Sequence, residues 1–246
     1  MARQLSEHRL NYDGVSIGIE MSYFVTGTDT GVGKTLVSCA LLHGFAAQGK
    51  RVVGMKPVAA GCDNFEQNDD VVQLRAASNV LASKGQINPY CFVQAVAPHL
   101  AAQFVGINIS LPRILESFAE LNAQADVVIV EGAGGFLVPL NSWQDSSDMA
   151  QQLGLPIILV VGMRLGCLNH ALLTFEAIAA RGLTLAGWVA NVLEANLPML
   201  NENIAALRQR INAPLLGVIP YQTQPDAREA ATLLNLILLE QLETHG

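Results

Sequence analysis

The sequence contains few charged residues and no long basic run. Charged residues make up 14% of the 246 residues, and the formal net charge is −7. The chain has only four lysines, and its longest basic cluster is the pair Lys50-Arg51. Proteins that bind nucleic acid through its phosphates carry clustered Lys and Arg side chains. The composition therefore argues against nucleic acid as a partner.

The sequence also lacks a hydrophobic run long enough to cross a bilayer. Its most continuous apolar stretch, Leu153 to Met163, contains one proline and two glycines. A transmembrane helix needs roughly 20 apolar residues, so a buried strand is the better interpretation. At the N-terminus, no basic segment is followed by an apolar stretch and a cleavage site. We therefore expect no membrane partner, no secretion and a cytoplasmic location.

Cysteine motifs are absent as well. The four cysteines are widely spaced, and none of them forms a Cys-x-x-Cys pair: Cys39, Cys62, Cys91 and Cys167. This spacing suggests neither a zinc site nor a disulfide framework, and the five histidines show no metal-ligand spacing either. We expect free, mostly buried thiols in a reducing cytoplasm.

The order of apolar segments predicts a single α/β domain. Residues 1–20 are mostly polar and aperiodic, and we interpret them as an N-terminal extension before a domain at 21–246. Within that domain, unbroken apolar runs alternate with segments of helical spacing, which predicts a doubly wound, mostly parallel sheet flanked by helices. The expected strands are Tyr23–Thr26, Val52–Lys56, Val127–Val130, Ile157–Val161, Gly187–Val192 and Leu215–Ile219. Residues 111–121 and 168–178 carry the clearest helical faces.

A glycine-rich turn after the first strand is typical of a phosphate-binding P-loop. It runs from Gly27 to Thr35, ends in Gly33-Lys34-Thr35 and opens a helix. In such a loop the backbone N–H groups cradle phosphates, the lysine contacts the β- and γ-phosphates, and the hydroxyl binds Mg²⁺. Five residues, rather than the usual four, separate Gly27 from Gly33, so Thr28 stands where a glycine is expected. The alternative is a glycine-rich turn with a solvated lysine.

Two other strands end in residues that suit a phosphate and metal site. Lys56 ends the second strand, and Glu131 ends the third before a glycine-rich loop. Ligands of doubly wound sheets bind at this edge, and Mg²⁺ takes one or two carboxylates together with phosphates. Asp70 is a candidate second carboxylate. For Lys56 the alternative is a lysine that reaches solvent, for Glu131 a solvated turn, and for Asp70 helix capping by Asn68 or Asp69.

Two later segments are less specific. Residues 166–170 open a helix whose backbone N–H groups can hold a carboxylate. Asn191 ends a strand, and its amide can pair with an adenine edge. For both segments, helix capping or a turn remains the alternative.

Taken together, these motifs resemble the dethiobiotin synthetase family, from about residue 21 to the end of the chain. The longer spacing from Gly27 to Gly33 is also a trait of that family. The motifs occur in the family's order and are Phe24-Val25-Thr26-Gly27-Thr28-Asp29-Thr30-Gly31-Val32-Gly33-Lys34-Thr35, Lys56-Pro57-Val58-Ala59, Pro98-His99-Leu100-Ala101, Val130-Glu131-Gly132-Ala133-Gly134-Gly135, Leu165-Gly166-Cys167-Leu168-Asn169-His170-Ala171-Leu172-Leu173-Thr174 and Gly187-Trp188-Val189-Ala190-Asn191.

The resemblance implies a reaction and its small-molecule partners. Members of the family use ATP and Mg²⁺ to join CO₂ to the diamine 7,8-diaminononanoate. One amine takes up CO₂ as a carbamate, the carbamate oxygen attacks the γ-phosphate, and the second amine closes a cyclic urea. The products are dethiobiotin, ADP and phosphate. The family also implies a homodimer with its site near the subunit interface.

The resemblance further implies roles for individual residues. Lys34 and Lys56 are the catalytic candidates, and Thr35, Asp70 and Glu131 are the Mg²⁺ ligands. The substrate carboxylate is expected at the turn 167–169 of the partner subunit. The residues expected at the nucleotide are Gly31, Val32, Gly33, Lys34, Thr35, Leu36, Asp70, Glu131, Gly132, Ala133, Gly134, Asn191, Val192, Ile219, Pro220 and Tyr221.

The chain departs from the family pattern at two positions. Many members have serine or threonine at Ala60, which contacts the diamine, and the loss of one hydrogen bond costs about 1 kcal/mol. Members often have aspartate where this chain has Val192, which leaves base selectivity open.

Three rival functions make specific demands on the sequence. A partitioning-type ATPase that regulates other proteins needs a lysine five residues before Lys34, where this chain has Asp29. A GTP-binding switch needs an Asn-Lys-x-Asp motif, which does not occur in the sequence. An amidotransferase relative needs a second domain, for which the chain has no room.

Overall fold

The computed structural model describes residues 21–63 and 67–240. The predicted extension, residues 1–20, lies outside the described residues, so its separation from the domain stays a prediction. The strands are β1 (Tyr23–Gly27), β2 (Val52–Met55), β3 (Val58–Ala60), β4 (Tyr90–Phe92), β5 (Val127–Glu131), β6 (Ile157–Met163), β7 (Leu185–Val192) and β8 (Leu215–Ile219). The helices are α1 (Lys34–Ala47), α2 (Asp69–Ala77), α3 (Lys84–Ile87), α4 (Pro98–Phe104), α5 (Leu111–Asn122), α6 (Ser146–Leu153), α7 (Cys167–Ala180), α8 (Leu200–Arg210), α9 (Ala227–Thr232) and α10 (Ile237–Glu240).

Six parallel strands form the main sheet, in the order β2-β5-β1-β6-β7-β8. These are the six strands expected from the apolar runs, with ends that differ by a few residues. The prediction of a doubly wound, P-loop NTPase-like parallel sheet is confirmed. The order places β1 between β5 and β6, so the loops after β1, β2 and β5 meet at one carboxyl edge.

Helices cover both faces of the sheet, which explains why its strands are apolar without alternation. Along β1, Phe24 packs into one core, whereas Tyr23 and Val25 pack into the other. The first core lies under residues of α5, α6, α7 and α8, and the second under α1, α9 and α10. Two hydrophobic layers therefore hold the carboxyl edge of the sheet in a fixed geometry.

Local sequence signals set several helix ends. Asp145 and Asp148 form a capping box at the start of α6, and Gly154 ends that helix at φ 66°. Each of the two longest helices in the described part of the chain, α1 and α7, has 14 residues. Within residues 21–63 and 67–240, no helix combines the length and the apolar character needed to cross a membrane.

A second, two-stranded parallel sheet pairs β3 with β4, and the apolar runs did not predict it. It brings Cys62 next to Cys91, which form a disulfide with a Cα–Cα distance of 6.2 Å. The expectation of four free thiols was therefore wrong for this pair. The two cysteines are 29 residues apart in the sequence, and only the pairing of β3 with β4 brings them together. Cys39 and Cys167 are free and buried, as expected.

Candidate active site

The carboxyl edge of the sheet brings the predicted phosphate and metal residues together. The glycine-rich turn connects β1 to α1, Lys56 directly follows β2, and Glu131 is the last residue of β5. Because β5 pairs with both β1 and β2, the three loops are neighbours although they are far apart in sequence. This arrangement agrees with the rule that ligands of parallel sheets bind beyond the carboxyl ends of strands.

Lys56 forms a buried ion-pair cluster with two carboxylates. Its Nζ lies 2.5 Å from Glu131 Oε1 and 2.8 Å from Asp70 Oδ2. The side chain of Lys56 is 5% exposed and that of Glu131 is 0% exposed. Burial opposes the charge on Lys56, but the Glu131 and Asp70 carboxylates outweigh it and raise the pKa of the lysine. Lys56 is therefore a charged group that faces the site, and it does not reach solvent.

Asp70 reaches the cluster because another residue caps its helix. The Asn68 side chain accepts the backbone N–H of Asp70 and caps α2. The Asp70 carboxylate is thus free to contact Lys56 and Thr35. Burial alone would raise the pKa of Asp70, but the Lys56 charge and hydrogen bonds lower it. Asn68 therefore caps the helix, and Asp70 is the residue that contacts the site.

Two carboxylates lie next to the Thr35 hydroxyl. Its Oγ1 lies 2.7 Å from Asp70 Oδ1 and 2.9 Å from Glu131 Oε1. The second oxygen of Glu131, Oε2, is buried and has no hydrogen-bond partner. A buried carboxylate oxygen without a partner is costly, and Mg²⁺ prefers such oxygen ligands. Among the described residues, no group of three or more His, Cys, Asp or Glu side chains is placed to hold a metal ion.

Lys34 lies in the turn and is largely buried. Its Nζ donates to the backbone oxygen of Asp29 at 3.0 Å. Burial, helped by the nearby charge of Lys56, lowers the pKa of Lys34 to about 8. An anion placed next to Lys34 would reverse that effect, because an opposite charge favours the protonated amine. The position and the lowered pKa both suit a phosphate contact.

Two glycines allow the turn its shape. Gly33 has φ 90°, and a Cβ there would lie 2.2 Å from Asn191 Nδ2. The same amide donates to the Val32 backbone oxygen at 2.9 Å. Gly31 also has positive φ, at 73°, but faces open space. Asn191 therefore packs directly behind the turn, and 5% of its surface remains exposed.

A cavity of about 920 Å³ opens in front of these groups. One side is formed by the turn residues and the cluster of Lys56, Asp70 and Glu131. The other side consists of the end of β3, Asn68 and the two segments 95–98 and 133–139. Sequence reasoning missed Asn68 and the wall 95–98, although Pro98-His99 was part of the resemblance. The volume suits a phosphate group and a small substrate side by side.

Other predicted residues occupy the same edge but lie outside this cavity. Val192 ends β7, and Ile219 ends β8 with Pro220 and Tyr221 directly after it. Ile219 is buried, whereas Tyr221 is 45% exposed. Leu36 follows Thr35 in α1 and Gly132 follows Glu131, whereas the predicted residues Ala133 and Gly134 line the cavity. The structure places the β7 and β8 group beside Asn191 along the sheet, on the far side of the turn from Lys56.

The start of α7 has no side-chain cap. Gly166 precedes the helix at φ 91° and caps it without a side-chain hydrogen bond. Arg164, just before it, forms an ion pair with Asp29 of the turn. The hydrogen bond from the Thr30 N–H and the nearby Arg164 lower the pKa of Asp29. Sequence reasoning did not identify this link between the turn and α7, because neither residue has a distinctive local motif.

The fold and this edge define the class of the protein. P-loop nucleotide-binding proteins are characterised by a parallel sheet and a glycine turn at a helix N-terminus. They also have a buried lysine in that turn and a hydroxyl beside carboxylates. The family model described as an AAA domain matches residues 21–229. Solved structures agree with this fold. MinD from Pyrococcus horikoshii OT3, in a complex with Mg-ADP, superimposes with a TM-score of 0.53 at 16% identity, over 91% of this chain and 96% of that one.

The sequence comparisons are more specific than the fold. A protein of Nitrosospira multiformis is 56% identical over 220 residues, which cover 89% of this chain and 97% of that relative. A protein of Aromatoleum aromaticum is 54% identical and covers 87% and 97%. Both are named ATP-dependent dethiobiotin synthetase BioD. The chain belongs to the dethiobiotin synthetase family, and the resemblance found from the motifs is confirmed.

Proposed function

We propose that this protein catalyses the ATP-dependent carboxylation and ring closure of 7,8-diaminononanoate with CO₂, giving dethiobiotin, ADP and phosphate. The observation that carries the proposal is the cluster of Lys56, Asp70 and Glu131 near Lys34, on the wall of a cavity large enough for a second substrate. Relatives about half identical to the chain bear the name of this enzyme. The cluster supplies what a phosphoryl transfer to a carbamate requires.

Charge neutralisation is the main contribution of the protein in this reaction. Phosphoryl transfer depends on positioning and on the stabilisation of developing negative charge. Lys34 and Lys56 hold the γ-phosphate and the carbamate oxygen between their ammonium groups. The cavity walls restrict water around them, so each charge acts in a low dielectric.

Mg²⁺ is the metal that the oxygen ligands of the site fit. Thr35, Asp70 and Glu131 would hold it, and its charge would neutralise the β- and γ-phosphate oxygens. The unpaired Oε2 of Glu131 supports this assignment, because such a ligand would satisfy it. The backbone N–H groups of residues 31–36 hold the phosphates at the N-terminus of α1.

The nucleotide base and the substrate carboxylate have separate candidate sites. Asn191, Val192 and the segment 219–221 are the proposed adenine contacts on the β7 and β8 side. The uncapped start of α7 is proposed to bind the substrate carboxylate of the partner subunit in a homodimer. Leu165 and Leu173, which are 93% and 62% exposed, support self-association at α7. A cytoplasmic location fits the biosynthetic role.

Two positions are expected to change how strongly the substrate and the nucleotide bind. Ala60 faces the cavity without a hydroxyl, so the diamine loses one hydrogen bond there relative to members with serine or threonine. Val192 offers the base no carboxylate, so nucleotides other than ATP are expected to support some turnover. Both effects concern the strength of binding and leave the reaction unchanged.

The rival function, a partitioning-type ATPase, is supported by the fold alone. MinD from Aquifex aeolicus superimposes with a TM-score of 0.52 at 12% identity, over 92% of this chain. In this chain the lysine that such an ATPase needs is replaced by Asp29, which pairs with Arg164. The two functions differ in whether phosphate release requires the diamine.

One assay tests the proposal. The protein is incubated with ATP, Mg²⁺, bicarbonate and 7,8-diaminononanoate, and both phosphate and the cyclic urea are measured. We expect equal amounts of each product and almost no phosphate when the diamine is omitted. Equal phosphate release with and without the diamine, or no cyclic urea, would reject the proposed function.

A further inference from the structure

The disulfide Cys62–Cys91 joins two very short strands. β3 and β4 pair through three residues each and form a sheet separate from the main one. Two-stranded sheets of this size are marginally stable on their own. The disulfide joins Cys91, the middle residue of β4, to Cys62, two residues after the end of β3, where the Cys62 N–H also donates to the Phe92 oxygen at 2.9 Å. A covalent bond therefore reinforces a weak piece of secondary structure.

Both strands lead into walls of the active-site cavity. After β3, the chain passes through Cys62 to Asn68 and Asp70. Asn68 Nδ2 donates back to the Ala60 oxygen at 3.3 Å, and its side chain caps the helix that carries Asp70. After β4, the chain forms the segment 95–98 on the same cavity. The disulfide thus cross-links the two strands that lead into these walls.

The nucleotide side of the site does not depend on this pair of strands. The turn 27–35 and Asn191 belong to the main sheet, between two large cores. Loss of the disulfide would loosen the β3 and β4 walls and leave the turn in place. The two halves of the cavity should therefore respond differently to reduction.

We infer that the Cys62–Cys91 disulfide is a redox-dependent positioning element for the diamine side of the cavity, and that the oxidised protein binds the diamine more tightly than the reduced protein. This inference rests on the proposed function. Neither cysteine touches a reacting atom in the proposed reaction, so the pair acts through Ala60 at the end of β3 and the segment 95–98 after β4.

The redox step is an ordinary thiol–disulfide exchange. One thiolate of a dithiol reductant attacks one cysteine sulfur, forms a mixed disulfide with it and releases the other cysteine as a thiol. The second reductant thiol then displaces the attacked cysteine. Two electrons and two protons pass to the protein, giving two thiols, and the reductant becomes a cyclic disulfide. Cys62 is 4% exposed, whereas Cys91 is only partly buried, so attack at the Cys91 sulfur is expected. Disulfides in reducing compartments are usually transient, which agrees with a bond that forms and breaks reversibly.

The expected size of the effect follows from population arithmetic. If the reduced walls adopt the binding geometry only part of the time, the apparent affinity falls by that fraction. A fraction of roughly one third to one tenth gives a rise in the diamine KM of about 3- to 10-fold. The KM for ATP should change by less than about 2-fold, because its site is on the main sheet.

The experiment compares oxidised protein, protein reduced with dithiothreitol, and the variant Cys62→Ser/Cys91→Ser. Thiol titration of the unfolded chain should give two thiols before reduction and four after it. The diamine KM should rise on reduction and be equally high in the double variant, which should no longer respond to reductant. Cys39→Ser is the control, because Cys39 is a free thiol away from the cavity, and it should keep the redox response.

Calorimetric binding of the diamine in the presence of ADP and Mg²⁺ provides a second readout that needs no turnover. Tighter binding by the oxidised protein supports the inference even if no cyclic urea forms, an outcome that would reject the proposed function alone. Equal diamine affinity in both redox states overturns the inference. Equal rises in the KM of ATP and diamine also overturn it, because they indicate general loosening.

Discussion

Lys56 Nζ lies 2.5 Å from Oε1 of Glu131, and the carboxylate of that pair has no exposed surface. Burial of either charge alone would be strongly unfavourable, because desolvation is repaid only when the opposite charge is present. The pair therefore couples stability to the chemistry of the site. The lysine that the proposed reaction uses is also the ion-pair partner of the buried Glu131 carboxylate.

The first prediction concerns the separation of this pair. Lys56→Met leaves Glu131 buried without its main counter-charge, so we expect a loss of about 3–5 kcal/mol in the free energy of unfolding. Lys56→Met/Glu131→Gln removes both charges and should recover a large part of that loss. Both variants should lack synthetase turnover. Urea denaturation measures stability, and the cyclic-urea assay measures turnover.

An exposed ion pair provides the matched control. Arg51 and Asp126 also lie 2.7 Å apart, but their side chains are 60% and 38% exposed. Arg51→Met should leave the free energy of unfolding nearly unchanged, because water screens such pairs. If Lys56→Met costs no more than Arg51→Met, Glu131 is not held as a buried charge.

The second prediction is a pH dependence of nucleotide binding set by Lys34. Its pKa is lowered to about 8 in the free protein, so the amine loses its charge above that pH. A bound phosphate favours the protonated form, so binding takes up a proton, and the affinity for ADP should fall as pH rises above 8. The fall should approach tenfold per pH unit. Calorimetry in buffers of different ionisation heat measures the proton uptake directly.

Lys34→Arg is the control for this pH effect, because a guanidinium stays charged over this range. It should lose the proton uptake even if its affinity is weaker. The same pKa shift has the opposite sign for folding. The charged amine is disfavoured in the fold, so this contribution to stability improves as pH rises from about 8 toward 10.5. Proton uptake that persists in Lys34→Arg would assign it to another group.

The third prediction concerns the Thr35 hydroxyl. Thr35→Val keeps the shape of the side chain but removes the oxygen that lies near Asp70 and Glu131. The Mg²⁺ concentration needed for half-maximal activity should rise by about 10-fold or more, and Thr35→Ser should restore it. Binding of metal-free ADP should stay within about 2-fold of the original. An unchanged Mg²⁺ requirement in Thr35→Val would remove Thr35 from the proposed ligands.

The fourth prediction compares two glycines of the turn. Gly31→Ala meets no atom within 4 Å, so its cost is the positive φ alone, about 1–2 kcal/mol. Gly33→Ala has the same strain and also places its Cβ against Asn191, so it should cost about 1–3 kcal/mol more. Denaturation curves of the two variants measure the difference.

A second substitution separates strain from the clash. Adding Asn191→Ala to Gly33→Ala removes the obstructing amide, so the excess cost should shrink toward that of Gly31→Ala. Equal costs for Gly31→Ala and Gly33→Ala would show that Asn191 moves aside freely.

Much of the site was predictable from sequence, because its signals are local. Lys34 and Thr35 follow a glycine turn within a few residues, and Lys56 and Glu131 each end a run of apolar residues. Asp70 was ambiguous, since a carboxylate at the start of a helix either caps it or points elsewhere. The structure distinguishes the two possibilities, because Asp70 contacts Lys56 and Asn68 caps the helix.

Other features depend on contacts that no local pattern encodes. β3 and β4 have three residues each, too few for a hydrophobic period, so neither they nor their disulfide was expected. The ion pair of Asp29 with Arg164 joins residues 135 positions apart. Ion pairs of this kind form when helices and strands pack together, and the spacing of their residues in the sequence does not predict them.

The sequence by itself determined the parallel sheet, the phosphate turn and the residue types at its edge, because strand periodicity and turn chemistry act over a few neighbouring residues. The tertiary structure decided which of those residues meet. The strand order β2-β5-β1 placed Lys56 between Asp70 and Glu131 and buried Lys56 and Glu131, whereas Asp70 stays partly exposed. It also paired Cys62 with Cys91, because a two-stranded sheet brought together segments that the chain alone keeps apart.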